Sequence, residues 1–309
     1  MPPLRLIITG FLALIVISLT AQESSFKNVS PKRDKIPFFL TAYNNIVIKA
    51  TLNKRDTVSL MLHTAASDIT LTEEASARLT TIKFDGTVDS VQSWGGNSNS
   101  AGYSKNNSVQ IGATSRNNIT IWRDKNSGQQ TDGKFGLNLF EQKIIELDFN
   151  KNLLTVETKL PRKIKKYEKL QLEIREDQLF INGICQVAND SFENRFLLHS
   201  GYAGGLLLDD AFAAKSKIGS KVTITGEKKL KDAFGNELIT KKGILPFFVL
   251  GRQTLSNIPV GFFEGAVGTH KMSIIGGDIL KRFNWIIDAK NGCIYLKPNK
   301  LSGTSYSNV

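Results

Sequence analysis

Cysteine, proline and histidine are all scarce in this chain. Its 309 residues include two Cys, eight Pro and three His. Cys185 and Cys293 lack the close spacing of a cysteine metal site. In an exported protein they could form one disulfide; the alternative is two buried free thiols. No Cys stands near the end of the N-terminal apolar run, so nothing supports a lipid anchor at an N-terminal Cys. Long apolar runs are missing too, apart from Leu6 to Leu19. That run follows Arg5 and precedes Thr20-Ala21-Gln22-Glu23. It reads as a secretory signal peptide, being short for a membrane span of about 20 residues. The protein is therefore expected to be exported, periplasmic or secreted, with no integral membrane segment once residues 1–22 are removed. Nucleic-acid-binding motifs are absent, although the net charge is +12. The basic runs Arg162-Lys163-Ile164-Lys165-Lys166 and Lys228-Lys229-Leu230-Lys231 read as solvated loops or strand edges, and no nucleic-acid partner is expected.

What is plentiful is Gly, Ser and β-branched residues in short runs. With 41% hydrophobic and 22% charged residues, this is the composition of a soluble globular protein. It favours many short strands joined by turns, and the length suits one large two-lobed unit or two ordinary domains.

Three blocks recur in the same order, the mark of an internal duplication. In the first, Ile46-Val47-Ile48-Lys49-Ala50 leads through Val58 to Leu62 and on to His63. Its counterpart, Leu179-Phe180-Ile181-Asn182-Gly183, leads through Arg195 to Leu198 and His199. In the second, Val109 to Gly112 and Ile119 to Ile121 match Phe248 to Gly251 and Ile258 to Val260, each a hairpin around a polar loop. In the third, Phe135 to Phe140 and Lys143 to Phe149 match Ile275 to Leu280 and Phe283 to Asp288. Each is an apolar-Gly turn, a short helix and a hairpin with Asn or Gly at its turn. Short helices are expected after each His, at Glu73 to Leu79 and at Asp209 to Ser216, with Asp209 and Asp210 placed for N-capping.

Two of the three histidines thus occupy matching places. The first sits in Leu62-His63-Thr64-Ala65-Ala66-Ser67, the second in Leu198-His199-Ser200-Gly201-Tyr202-Ala203. Each follows an apolar strand and precedes a small-residue turn.

From residue 38 to 298 this pattern resembles the two-lobed bacterial aspartic peptidases, retropepsin-like and pepsin-like, with His63 and His199 where the family carries its two catalytic Asp. The resemblance implies a mostly β fold of duplicated β-barrel lobes, a cleft between them, and short helices. It implies that the hydroxyls of Thr64 and Ser200 hydrogen-bond across the lobes and lock the active-site loops. Gly201 keeps the family glycine and Ala65 replaces the other. Lys134-Phe135-Gly136 and Ile274-Ile275-Gly276 fit the segments beneath the two loops. Trp94-Gly95-Gly96 lies where a first-lobe flap belongs. The expected organisation is a signal peptide over 1–22, a polar leader over 23–37, lobes over 38–160 and 170–300, a basic linker over 161–169 and a tail over 301–309.

The aspartic mechanism shares one proton between two carboxyl groups around a held water. A neutral imidazole offers one donor and one acceptor and no negative charge, and two close imidazoles resist double protonation. The expectation is a homologue that has lost ordinary aspartic proteolysis and binds an extended peptide or protein segment in its cleft. The alternative is an active hydrolase, either an atypical endopeptidase or an enzyme using the His pair as acid and base. A replacement carboxylate would have to come from Asp68, Asp209 or Asp210. No cofactor is expected, and no metal, since catalytic zinc usually takes three protein ligands and nothing places His270 at the pair.

Overall fold

The computed structural model describes residues 33–93, 96–125, 127–231, 237–262 and 271–307. The first half contains β1 (Arg33–Pro37), β2 (Phe39–Leu40), β3 (Ile46–Leu52), β4 (Asp56–Leu62), β5 (Ile69–Thr72), helix α1 (Glu73–Arg78), β6 (Gly86–Ser93), β7 (Gly96–Ile111), β8 (Thr114–Asp124), β9 (Gly133–Phe135), β10 (Ile144–Asp148) and β11 (Leu153–Glu157). The second contains β12 (Glu168–Gln171), β13 (Glu173–Arg175), β14 (Gln178–Val187), β15 (Asp190–His199), β16 (Leu206–Leu208), α2 (Asp210–Ser216), β17 (Thr223–Lys231), β18 (Glu237–Leu250), β19 (Gln253–Phe262), β20 (Ser273–Gly276), α3 (Gly277–Leu280), β21 (Phe283–Asp288) and β22 (Cys293–Pro298).

The duplication is complete at the level of strand pairing. One sheet runs β2-β3-β4-β9-β5-β8-β7-β6 and closes through a β3–β7 pairing. The other runs β13-β14-β15-β20-β16-β19-β18-β17 and closes through β14–β18. Adding eleven to each first-half strand number yields its second-half counterpart. Each closed ring has six strands, so the fold is mostly β with two barrel lobes. Alternation builds the rings: β3 buries Ile46, Ile48, Ala50 and Leu52 inward, and β15 buries Phe196 and Leu198. Inside the second barrel the Phe196 and Phe248 rings meet edge to face at 5.1 Å.

The third sheet joins the halves in the order β1-β11-β10-β21-β22-β12, with β10 and β21 antiparallel at its centre. It changes the expected boundaries. Residues 33–37, placed by sequence in a polar leader, are an edge strand: Arg33 pairs with Glu157 and Pro37 with Leu153. Ile36 alone of these five is buried, which is why the segment looks like solvated chain. The expected linker 161–169 is also built in, as a 3-10 turn over Arg162–Lys166 followed by β12, which pairs with β22. Lys163 and Arg33 both reach the fully buried Glu146. The expected tail docks as well. The buried Arg282 guanidinium donates to the carbonyls of Leu301, Ser302 and Thr304 and lies 3.7 Å from the Tyr306 ring centroid.

Both cysteines are free buried thiols, and burial pushes Cys185 up to about 12. No helix among the described residues is long and apolar enough to cross a membrane.

Candidate functional site

Each histidine closes a strand that is flanked in parallel by the strand of its apolar-Gly segment. β4 ends at Leu62, which pairs with Phe135 of β9, and the His63 amide donates to the Phe135 carbonyl at 2.9 Å. β15 ends on His199, which pairs with Gly276 of β20. A tight turn follows each: the Ala66 amide donates to the His63 carbonyl and the Tyr202 amide to that of His199. The glycines beneath are required by close backbone approach. A Cβ on Gly136 would lie 2.0 Å from the Ala66 carbonyl oxygen, and one on Gly276 2.3 Å from that of Gly204.

The two loops meet at the lobe interface through four buried hydrogen bonds. Thr64 Oγ1 donates to the Leu198 carbonyl at 2.5 Å and accepts the Ser200 amide at 3.0 Å. Ser200 Oγ donates to the Leu62 carbonyl at 2.6 Å and accepts the Thr64 amide at 3.0 Å. This reciprocal lock fixes the histidines against each other, with ring centroids 4.5 Å apart and planes at 63°. Gly201 has no room for a side chain because a Cβ there would lie 2.6 Å from His63 Nε2. Ala65 is accommodated on the other side. It packs against Phe180, Leu197, Leu207 and Ile274 of the second lobe.

His63 Nδ1 accepts the Ala65 amide at 3.2 Å, so in the neutral ring Nε2 carries the hydrogen. Burial first, then the neighbouring His199 and Lys134, hold its pKa well below the ordinary 6.5. Lys134 stands where the second lobe has Ile274, and its Nζ pairs with Asp124 at 3.3 Å. Among the described residues the two loops thus bring together the His63 and His199 imidazoles, with Lys134 beside His63 and paired to Asp124.

Of the other expected groups, Asp68 and Asp209 are engaged by other partners. Asp68 accepts the Trp122 indole at 3.1 Å. Asp209 caps α2 by accepting the Phe212 amide and also takes the Ser273 hydroxyl. Asp210 lies in the first turn of that helix. Trp94, Gly95 and His270 lie outside the described residues, and Gly96 opens β7. Among the described residues no three His, Cys, Asp or Glu converge as a metal site. Sequence reading missed Asn44, whose side-chain amide donates to the Ala203 carbonyl across the lobes at 2.8 Å while its Oδ1 accepts from Lys281. Its sequence signal, Asn in a turn before a strand, indicates only the positive φ of 63° it adopts.

A class of protein is defined by this geometry: paired six-stranded barrels joined by a shared sheet, with a hydroxyl-locked loop pair at the interface. The solved aspartic proteinase from Irpex lacteus has this fold. It matches 89% of this chain and 99% of its own length, with a TM-score of 0.58 and 14% identity. No protein-family model matches the sequence, and no curated protein does. The chain thus has the pepsin-like two-lobed fold, and its own residues must carry the functional argument.

Proposed function

We infer that this protein is an exported, catalytically degenerate homologue of the aspartic peptidases that binds an extended peptide or protein segment between its lobes. One observation carries the reading: His63 and His199 meet at 4.5 Å inside an intact Thr64–Ser200 lock. The scaffold that positions a carboxylate pair is kept and the carboxylates are not there.

Peptide hydrolysis by this fold needs a negative group to take a proton from the attacking water. The depressed pKa of His63 makes it a weak base, and its one lone pair is committed to the Ala65 amide. A general-base role for the imidazole pair is disfavoured on the same ground. Strands at the walls of an inter-lobe cleft pair with an extended chain through backbone groups, which needs no catalytic carboxylate.

The test is incubation of the purified protein with unfolded casein and a mixed peptide library from about pH 3 to about pH 8, a span covering carboxylate and imidazole titration. No cleavage above a buffer control is expected. Cleavage that disappears in His63→Ala or His199→Ala would overturn the reading.

A further inference from the structure

The pairing registers make the two lobes comparable residue by residue. Thr70 pairs with both Lys134 and Trp122, as Leu207 pairs with both Ile274 and Gly261. Trp122 therefore corresponds to Gly261. Across the hairpins Tyr103 corresponds to Lys242 and Val88 to Lys228. Gly86 and Gly226 fall at the same register, which confirms the alignment.

Equivalent positions carry opposite chemistry. On the first lobe Tyr103 and Trp122 meet edge to face at 6.2 Å, with Val88 further along the same face. On the second lobe Lys228, Lys242 and Thr240 line a recess with Tyr202 and Gly261. Tyr202 ties the recess to the second histidine loop, its amide closing the turn on the His199 carbonyl. Its volume is about 20 Å³, room for about one water-sized group such as a carboxylate oxygen. No carboxylate is among the residues lining it. Two ammonium groups on one face of a strand pair repel each other, and partial burial together with Lys242 lowers the Lys228 pKa. An anion between them relieves both penalties and gains charge-assisted hydrogen bonds.

We propose that Lys228 and Lys242 form a subsite for the side-chain carboxylate of an Asp or Glu in the bound segment, across the cleft from an aromatic wall made by Tyr103 and Trp122. The proposal rests on the peptide-binding reading and adds what the peptide must contain. The duplication makes it specific to the second lobe, because the positions matching Lys242 and Lys228 in the first lobe hold Tyr103 and Val88.

The test is selection of a displayed random dodecapeptide library on the full protein and on the Lys228→Gln/Lys242→Gln variant. Peptides selected on the wild type should be enriched in Asp or Glu at one position. The variant should lose that enrichment by about tenfold, the scale of one charge-assisted hydrogen bond. It should still enrich aromatic or apolar residues, and Lys228→Arg/Lys242→Arg should keep the acidic preference. Thermal melting of each variant checks that the fold is intact. Peptides selected without acidic enrichment, or enrichment that survives in the Gln variant, overturn the subsite and leave peptide binding standing. If no peptide is selected on any of the proteins, peptide binding falls and the subsite with it.

Discussion

Burial first, then His199 and Lys134, lowers the His63 pKa, and this has a thermodynamic consequence. Its folded pKa lies below its ordinary value of 6.5. Below that pH the unfolded chain takes up a proton that the native ring refuses. Stability is therefore retained above pH 6.5, falls as pH drops below it, and stops falling beneath the folded pKa. Melting temperature against pH, compared between the wild type and His63→Gln, should show a steeper acid-side loss in the wild type. Parallel curves would remove the buried-neutral account. The hydroxyl lock is also a residue-scale matter. Thr64→Val strands the Ser200 amide and frees the Leu198 carbonyl, both buried at the lobe interface. The expected cost is about 1–3 kcal/mol per buried group left unpaired. Urea denaturation measures it, and Thr64→Ser, which keeps the hydroxyl, should recover most of the loss.

At the scale of single elements, strand alternation is what the sequence displays best. The apolar periods of β3, β4, β14 and β15 were legible because each strand has one face in a barrel. So was the capping of α2, where Asp209 binds the Phe212 amide. Gly183 in β14 shows what a pattern hides. It reads as the turn end of a strand, yet it lies inside the strand, where a Cβ would stand 2.5 Å from Phe248 Cζ. Phe248 is fully buried and packed on Phe196. Gly183→Ala is expected to destabilise by about 1–3 kcal/mol through overpacking. A chemical denaturation midpoint unchanged from wild type would count against that packing. Strands β1 and β12 were missed for a different reason. Edge strands in the shared sheet bury few side chains, so their hydrophobic signal is weak even though their backbone pairing is continuous.

At the scale of the molecule, the two lobes are not separable bodies. β10 and β11 lie in the same sheet as β21 and β22, and Phe149 and Trp285 stack at 6.3 Å across their junction. The Phe149 amide donates to Asn284 at 2.8 Å, and Asn284 donates in turn to Asp148. Residues 38–160 expressed alone would expose β10 as an apolar edge, which invites aggregation or unfolding. Its amide spectrum should be poorly dispersed, or the fragment should associate. A well-dispersed monomeric spectrum would show that the lobe needs neither the shared sheet nor its partner loop.

The amino-acid sequence by itself determined the repeat, the mostly β class and the equivalence of His63 with His199, because these depend on periodicity and order along the chain. Only the tertiary structure decided that the two rings meet at 4.5 Å and that Tyr103 and Trp122 stand where the second lobe has Lys242 and Gly261. Those facts depend on strand register between segments far apart in sequence. Register is set by how two barrels close and share one sheet, which no local run of residues encodes.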